Sequence, residues 1–282
     1  MARTKAGKTR GGAKRSAAAR AHENVLITGA SSGIGAALAR CFARDGHRIV
    51  LVARSVDKLR ALADELHKAT GAQVLVLPAD LAQPLAAGRL AAQLSRHRFA
   101  IDVLVNNAGV LESGRFVRMT AATHRALIDL NVAGLTAMLA QFVPAMVKRG
   151  HGRVLNVASI ASFQPVPMLA TYAATKAYVL SLSESLREEL RGSGVTVTAL
   201  CPGITATNML ATARRKQAGL DRIPGLLVSD VDEVAAQGYR ACLRGDDIVV
   251  PGILNRATVL ATRSAPKSWV RYVMGALARE VS

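Results

Sequence analysis

The sequence predicts an α/β protein in which seven parallel strands form one doubly wound sheet with helices on both faces. Short apolar runs rich in β-branched residues alternate with helical patterns, and a glycine-rich turn follows the first run. Parallel strands need a crossover connection, usually a helix, so this alternation specifies a parallel sheet. The 282 residues suit one α/β domain, and no internal repeat or Pro/Gly/Ser-rich linker divides the body.

Each element is placed by the apolar pattern around it. Runs of Val, Ile and Leu are typical of strands buried on both faces of a parallel sheet, and charged amphipathic stretches are typical of the helices that cover it. The predicted strands start with the apolar run at 25–27 and continue at 48–53, 73–77, 102–106, 153–158, 195–201 and 247–250. The predicted helices are 36–45, 55–70, 84–97, the long pattern 120–149, and 171–191.

The turn after the first strand carries Gly29, Gly33 and Gly35. Glycines remove the Cβ atoms that would keep a pyrophosphate from the backbone, and a helix N-terminus offers free N–H groups and a positive dipole end. The turn is therefore a candidate nucleotide cradle, and the alternative is a tight turn without a ligand. Its candidate binding residues are Gly29, Ser31, Ser32, Gly33, Ile34 and Gly35.

Ligands of such sheets bind at the carboxyl ends of the strands. Most residues that follow the predicted strands are polar or turn-forming, and topology alone collects them at one edge. Beyond the glycine turn they are Arg54, Asp80, Leu81, Asn106, Asn107, Ala108, Gly109, Ser159, Pro202 and Gly203.

Tyr172 and Lys176 lie four residues apart, on the same face of one predicted helix. A tyrosine with a pKa of roughly 10 needs its phenolate stabilised by about 3 pKa units, or about 4 kcal/mol, to exchange protons near neutrality. A fixed cation in a desolvated site can supply this. Ser159 at a strand end can polarise a carbonyl. A solvated surface pair is the alternative, but the uncharged stretch 154–175 favours a buried site.

Composition limits the other classes of site. Three cysteines (Cys41, Cys201, Cys242) lie far apart and six histidines are scattered, so we expect neither a disulfide framework nor a metal site. A reducing compartment, such as the cytoplasm, is expected. The uncharged runs 131–147 and 154–175 contain prolines and polar residues, so we interpret them as protein interior and expect no transmembrane segment.

The net charge of +18 is unevenly distributed, because the first twenty residues hold seven basic residues and no acid. With almost no large apolar side chain, residues 1–22 are predicted to be a disordered basic tail. A solvated tail is the simplest interpretation. Non-specific contact with nucleic acid or anionic lipid, and import into an organelle, remain alternatives.

Taken together, the motifs resemble the short-chain dehydrogenase/reductase family in its compact one-domain form, over residues 24–252. They are Thr28-Gly29-x-x-x-Gly33-x-Gly35, Asp80, Asn106-Asn107-Ala108-Gly109, Asn131, Ser159, Tyr172-x-x-x-Lys176 and Pro202-Gly203. The resemblance implies a Rossmann-like fold and a homodimer or homotetramer built through the fourth and fifth helices.

The resemblance also implies residue roles. Tyr172 would be the general acid/base and Ser159 would hold the substrate oxygen. Lys176 would bind the nicotinamide ribose and lower the pKa of Tyr172. Asn131 would kink its helix and position a water that links Lys176 to solvent. Asp80, with Leu81, would contact the adenine, and Asn107, with Ala108 and Gly109, would help to fix the cofactor.

Charge at the end of the second strand indicates which dinucleotide binds. A carboxylate there suits the ribose 2′-hydroxyl of NAD, whereas a cation suits the 2′-phosphate of NADP. The chain has Arg54-Ser55 and no acid before Asp57. We therefore expect NADP(H), with Arg54 on the phosphate and Ser31 or Ser55 adding a hydroxyl.

Two more segments are predicted, one a lid within the catalytic domain, 23–254, and the other an extension that follows it. A lid is expected at about 204–228, where apolar residues suit an alkyl or ring substrate and a basic cluster suits an acidic carrier or plain solvation. Residues 255–282 are expected to form a basic amphipathic extension that packs on its own domain or on a partner subunit; the alternatives are that it lies on an anionic membrane or closes over the substrate.

The first hypothesis is an NADP(H)-dependent oxidoreductase that acts on a ketone, aldehyde, 3-oxoacyl or steroid-like carbonyl or on the matching alcohol. The second is a non-catalytic NADP-sensing or nucleic-acid-associated protein with the same fold. Loss of activity in Tyr172→Phe distinguishes the two.

Overall fold

A computed structural model describes residues 22–206 and 228–266, together with residues 268, 269, 272 and 275. It confirms the predicted fold class, because seven parallel strands form one sheet in the order β3-β2-β1-β4-β5-β6-β7. The chain winds outward from β1 to β3 and then restarts at β4 on the other side of β1. This reversal between β1 and β4 is the switch point at which such sheets bind ligands.

The strands lie close to their predicted positions. They are β1 (Asn24–Thr28), β2 (Arg48–Ala53), β3 (Val74–Pro78), β4 (Val103–Asn106), β5 (Gly152–Val157), β6 (Val195–Leu200) and β7 (Ile248–Val249). The helices of the described residues are α1 (Gly33–Arg44), α2 (Val56–Thr70), α3 (Ala86–Arg96), α4 (Ala121–Ile128), α5 (Leu135–Arg149), α6 (Ala170–Glu189), α7 (Val231–Arg244) and α8 (Ile253–Ser264).

Side chains of each strand alternate between two cores, one on each face of the sheet. In β1, Val25 and Ile27 face a core that includes Phe42 of α1 and Leu59 of α2, all of which are fully buried. Leu26 faces the opposite core, with Met138 of α5. Helices therefore cover both faces and leave only the strand ends for a ligand.

The long helical pattern 120–149 is interrupted. A π-helical segment, Asp129–Gly134, lies between α4 and α5. Within the described residues, 121–149 is the one helical stretch that is long and apolar enough to cross a membrane. Met138, Phe142 and Met146 on it pack in the core, which agrees with the interpretation of this run as protein interior.

Helix α7 was not predicted, although Asp230 caps it by accepting from the N–H of Glu233. The lid prediction lies mostly outside the described residues. Its ends are joined, because Thr205 and Ser229 form a parallel bridge. Helix α8 spans the expected boundary at residue 254, and its Val259 is buried. The basic tail also lies outside the described residues, which begin at residue 22.

Candidate active site

The glycine turn requires glycine at two kinds of position. Gly29 and Gly33 have positive φ angles of +64° and +57°, which side chains with a Cβ rarely adopt. Gly35 has an ordinary backbone, but a Cβ there would lie 2.4 Å from Asn107 Nδ2 and 2.5 Å from Gly29 O. Helix α1 begins at Gly33 with no acidic residue in its first turn, so its N–H groups and positive dipole end face the turn.

Asn107 and Thr28 lock the glycine turn to the end of β4. The Thr28 hydroxyl accepts from the N–H groups of Asn107 (2.9 Å) and Ala108 (3.0 Å) and donates to Val105 O. The Asn107 amide donates to the carbonyl oxygens of Thr28 (3.0 Å) and Gly29 (3.1 Å). Asn107 therefore shapes the cradle through backbone contacts, and Thr28 is a positioning residue to which the motif alone assigned no role.

Two predicted adenine-side residues follow β3. The Asp80 carboxylate accepts from the N–H of Ala82 (3.1 Å), which closes a local turn. Leu81 is buried against the core. Its carbonyl oxygen passes so close to the π-helical segment that a Cβ on Gly134 would lie 2.6 Å away.

Arg54 follows β2 and its side chain is exposed. Among the described residues no carboxylate pairs with it. Ser31 is half-buried in the glycine turn. Within the part of the chain that the structure describes, this corner therefore presents a guanidinium with no acidic partner.

The π-helical segment holds Asn131 at the centre of the site. Its side chain is 1 % exposed and binds the backbone of Val110 twice, accepting from the N–H and donating to the carbonyl, each at 2.9 Å. It also donates to Thr175 Oγ1 on α6 (3.1 Å). A Cβ on Gly109 would lie 3.2 Å from Asn131 Oδ1 and 3.5 Å from Lys176 Nζ, so these three residues are neighbours.

Lys176 is a buried cation without a carboxylate partner among the described residues. Its ammonium donates to Val157 O (2.8 Å) and lies 5.9 Å from the centroid of the Tyr172 ring. Burial lowers the pKa of Lys176 to about 8. No carboxylate offsets this desolvation, so the amine exchanges its proton much nearer to neutral pH than an exposed lysine does.

Tyr172 and Ser159 are both almost fully buried, at 8 % and 9 % exposed, and Ser159 lowers the pKa of the phenol. Burial raises the pKa of Tyr172 to about 12, and the effect of Ser159 offsets this only in part. Desolvation of the phenol is the largest effect on its pKa in this structure, where the Lys176 ammonium donates to the Val157 carbonyl. The lowering of this pKa by Lys176 that the resemblance implies stays a prediction.

Pro202 and Gly203 complete the edge after β6. Pro202 O accepts from the N–H of Ile160, next to Ser159, at 3.0 Å. Gly203 lies against α8, where a Cβ would come within 2.5 Å of the Asn255 side chain. Asn255 was not predicted, and no local motif marks it, because the contact exists only when α8 folds back onto the sheet edge.

All four predicted catalytic residues thus meet at the carboxyl ends of β4 and β5, beside the glycine turn. Among residues 22–206 and 228–266, no three His, Cys, Asp or Glu side chains come together as metal ligands would. The remaining polar groups are a phenol, a hydroxyl, an ammonium and an amide, which together suit proton transfer to and from an oxygen atom.

The Rossmann-like fold and the residues of the site are those of an oxidoreductase that uses a dinucleotide cofactor. The family model of the short chain dehydrogenases matches residues 23–218, and the chain belongs to that family. This confirms the resemblance drawn from the sequence motifs.

Relatives whose activity or structure is known are also dehydrogenases. The chain is 36 % identical over 195 residues to the NADP-dependent 3-hydroxy acid dehydrogenase YdfG of Salmonella typhi, covering 68 % of this chain and 76 % of the relative. A short-chain dehydrogenase from Sphingobium yanoikuyae in complex with NADPH is 37 % identical, with a TM-score of 0.75 and coverage of 86 % and 96 %. The bulky-bulky ketone specific alcohol dehydrogenase from Comamonas testosteroni is 31 % identical, with a TM-score of 0.72 and coverage of 87 % and 95 %.

Proposed function

We propose that the protein transfers a hydride between NADP(H) and a carbonyl carbon, with a ketone, an aldehyde, a 3-oxoacyl compound or a steroid-like compound as substrate. The observation that carries this proposal is that Ser159, Tyr172 and Lys176 are all buried at one edge of the sheet, with the Lys176 ammonium 5.9 Å from the centroid of the Tyr172 ring. The NADPH complex of the Sphingobium relative and the name of the Salmonella relative support the choice of cofactor.

The glycine turn fits a dinucleotide. Gly29 and Gly33 hold backbone conformations that keep side chains away, and the first turn of α1 contains no acid that would repel a phosphate. Arg54 at the adjacent corner is free to pair with a 2′-phosphate. When bound, the dinucleotide supplies the hydride donor or acceptor at its nicotinamide ring.

The residues of the chain handle the substrate oxygen and its proton. Ser159 and Tyr172 hold the oxygen by hydrogen bonds, and Tyr172 donates its phenolic proton to that oxygen in the direction of reduction. Burial raises the pKa of Tyr172 to about 12, so the phenol carries its proton at neutral pH before the reaction. Lys176 stabilises the phenolate that remains, and Asn131 keeps α6 and the β4 loop in register around it.

Replacement of Tyr172 by Phe tests the proposal. Loss of a general acid slows such reactions by about 10²- to 10⁴-fold, so Tyr172→Phe is expected to lower kcat by that amount while the Kd for NADPH is unchanged. NADPH consumption with a panel of ketones, aldehydes, acyl thioesters and steroids measures kcat, and fluorescence titration measures Kd.

Tyr178→Phe on the same helix is the matched control, since Tyr178 is exposed and bonds Thr136 at 3.0 Å. Undiminished activity of Tyr172→Phe would contradict the proton transfer. A wild-type protein that binds NADPH and turns over none of the panel would instead favour the non-catalytic sensing function.

We also propose a homo-oligomer. The surface between α4 and α6 contains an apolar cavity of about 340 Å³, lined in part by Phe116, Ile128 and Val132. Phe116 is 61 % exposed and Ile128 is 43 % exposed. A second subunit would cover these apolar side chains. Light scattering that shows only monomers would contradict this assignment.

A further inference from the structure

Helix α8 directs its largest apolar side chains outward, the reverse of an ordinary surface helix. Asn255, Val259 and Thr262 follow the helical period along one face, where Val259 is buried and the other two are half-buried. On the opposite face, Ile253 is 87 % exposed and Leu260 is 68 % exposed. The outward face of a helix in a globular protein is normally polar or charged, so this face of α8 is unusual.

The outward face of α8 carries no charge along its whole length. The exposed residues that follow the helical period there are Ile253, Ala257, Leu260, Ala261 and Ser264. Two exposed basic residues, Arg256 and Arg263, lie seven positions apart on one flank, between the inner and outer faces. The helix therefore combines an apolar outward face with a basic flank.

Two exposed aromatic residues follow α8. Trp269 is 72 % exposed and Tyr272 is 75 % exposed. Eleven large apolar side chains are exposed among the residues that the structure describes, and five of them fall within residues 253–272. Trp and Tyr combine an apolar ring with a polar tip, which suits the boundary between water and lipid. The exposed apolar surface is therefore concentrated on α8 and just beyond it.

The charge of this segment indicates what covers it. Residues 253–282 contain five basic residues and a single acid, Glu280. A two-fold contact places the same surface of two copies face to face, so a second copy would bring two basic segments together. A bilayer that contains anionic lipid attracts Lys and Arg near its surface. The composition therefore favours an anionic lipid surface over a second copy.

Contacts on the inner side hold α8 against the protein. The Arg263 guanidinium lies 5.8 Å from the centroid of the Phe163 ring, in the 3₁₀ helix that begins next to Ser159. The Arg256 Nε donates to Val250 O at 2.9 Å. Because the inner face already has these contacts, α8 can offer its outward face to a flat surface without leaving the domain.

We propose that α8, together with Trp269 and Tyr272, binds the surface of an anionic lipid bilayer and lies in its interface without spanning it. Ile253 and Leu260 enter the boundary between headgroups and acyl chains, and the basic flank lies among the lipid phosphates. This interaction goes beyond the proposed carbonyl reduction and does not depend on it.

Vesicle binding tests the proposal with the full chain. The protein is expected to sediment with vesicles of phosphatidylcholine and phosphatidylglycerol in equal parts. Binding to phosphatidylcholine alone is expected to be weaker by about tenfold or more, and high salt should release the protein, since the attraction is partly electrostatic. Trp269 is the single tryptophan of the chain, so its fluorescence reports on this segment. Its emission is expected to shift to the blue and to be quenched by lipids with brominated acyl chains.

The double variant Ile253→Gln with Leu260→Gln removes the apolar contact. Its affinity for the mixed vesicles is expected to fall by about tenfold or more, because two large side chains no longer leave water. Leu85→Gln is the control. Leu85 is 80 % exposed and follows β3, at the opposite edge of the sheet from β7 and α8, so vesicle binding should be unchanged.

A second pair of variants tests the basic flank. Arg256→Gln with Arg263→Gln is expected to weaken binding to the mixed vesicles by about tenfold or more, since each basic residue near an anionic surface adds attraction. Lys58→Gln with Arg60→Gln on α2 removes the same charge from exposed positions at the other side of the sheet. Equal losses in the two double variants would mean that only the net charge matters, and would overturn the role of α8.

Other results would also overturn the proposal. One is the absence of binding to the mixed vesicles. Another is binding without a shift in Trp269 emission, which would assign the lipid contact to the basic residues 1–22. A third is a lower mass of the Ile253→Gln, Leu260→Gln variant in light scattering without lipid, which would show that a second copy covers the face. NADPH-dependent reduction is measured separately, and its absence would leave this lipid contact standing.

Discussion

Lys176 shows how one buried side chain sets the chemistry of the site. The residue is 6 % exposed, and its ammonium donates to a backbone carbonyl and has no carboxylate partner among the described residues. Such a cation is available to the phenolate of Tyr172 at the moment when the phenol releases its proton. The same burial makes the charge of Lys176 sensitive to alkaline pH.

The pH dependence of reduction follows from these shifts. The pKa of Lys176 is lowered to about 8, so the cation is present below pH 8 and is lost as the pH rises through that value. The pKa of Tyr172, about 12, keeps the phenol protonated over this range. We expect kcat/KM for carbonyl reduction to fall above about pH 8. A profile that stays flat to pH 10 would contradict the assignment.

Arg54 is expected to determine the choice of dinucleotide. It is exposed at the corner after β2 and is not paired with any carboxylate of the described residues. Arg54→Asp is expected to weaken NADPH binding by about 1.5–3 kcal/mol, the range for a hydrogen bond to a charged group. NADH binding is expected to change little, because NADH has no 2′-phosphate. Isothermal titration with both dinucleotides measures this, and equal losses for the two would refute the phosphate contact.

At the scale of elements, the glycine turn and the end of β4 form one unit. Asn107 binds two carbonyl oxygens of the turn, and Gly35 leaves the space in which its amide lies. The turn is therefore held by a partner almost eighty residues away in the chain. Its shape depends on the pairing of β1 with β4 as much as on its own glycines.

Gly35→Ala tests this unit. The added Cβ would lie 2.4 Å from Asn107 Nδ2, so we expect a loss of about 1–3 kcal/mol in unfolding free energy and weaker NADPH binding. Gly71→Ala is the comparison, since Gly71 has a φ of +71° and no atom within 4 Å of the added Cβ. In urea unfolding, Gly71→Ala should lose only the unfolding free energy that comes from backbone strain, and its NADPH binding should be unchanged. Equal NADPH affinity in the two variants would contradict the role of Gly35.

The π-helical segment illustrates what a periodic pattern cannot predict. The apolar spacing over 120–149 predicts helix, and helix is found, but not the wider turn at Asp129–Gly134. That turn places Asn131 against Val110 and Thr175. These partners come from the β4 loop and from α6, so only the assembled protein holds the local geometry.

At the scale of the whole molecule, a polar cluster at the amino ends of the strands contrasts with the site at the carboxyl ends. Glu23 Oε1 contacts Arg153 and lies 2.9 Å from His151 Nε2, and the N–H of Glu23 donates to His47 Nδ1 at 3.2 Å. His47 is 2 % exposed, and its Nε2 has no hydrogen-bond partner among the residues that the structure describes. Protonation of His47 would turn the accepting Nδ1 into a donor and break the contact with Glu23.

This cluster predicts acid sensitivity. Burial lowers the pKa of His47 below 6.5, despite the opposing charges of Glu23 and Asp45. The unfolded chain therefore takes up a proton first as the pH falls below 6.5, and stability falls by at most about 1.4 kcal/mol per pH unit for one group. Well above pH 6.5, the stabilising contribution of neutral His47 is fully present.

Urea unfolding at pH 7.5 and 5.5 measures the effect. In His47→Gln, which cannot protonate, the loss of unfolding free energy between the two pH values is expected to be smaller than in the wild type. His97→Gln is the control, because His97 is exposed. An identical pH dependence in His47→Gln and the wild type would show that other groups are responsible.

The parallel sheet, its strand positions and the family were predictable because they depend on local patterns. A run such as Val25–Ile27 and the spacing of Tyr172 and Lys176 can be recognised in the chain itself. Helix α7 was missed although Asp230 and Glu233 mark its start. The predictions for residues 1–22 and for most of the lid lie outside the described residues and remain predictions.

The sequence by itself determined which chemical groups the site contains, because strand, turn and helix signals are local and the order of the chain carries Ser159, Tyr172 and Lys176 to one edge. Only the tertiary structure decided how those groups behave. The proton stays on Tyr172 and the pKa of Lys176 falls because both are buried, and burial is a property of the packed molecule.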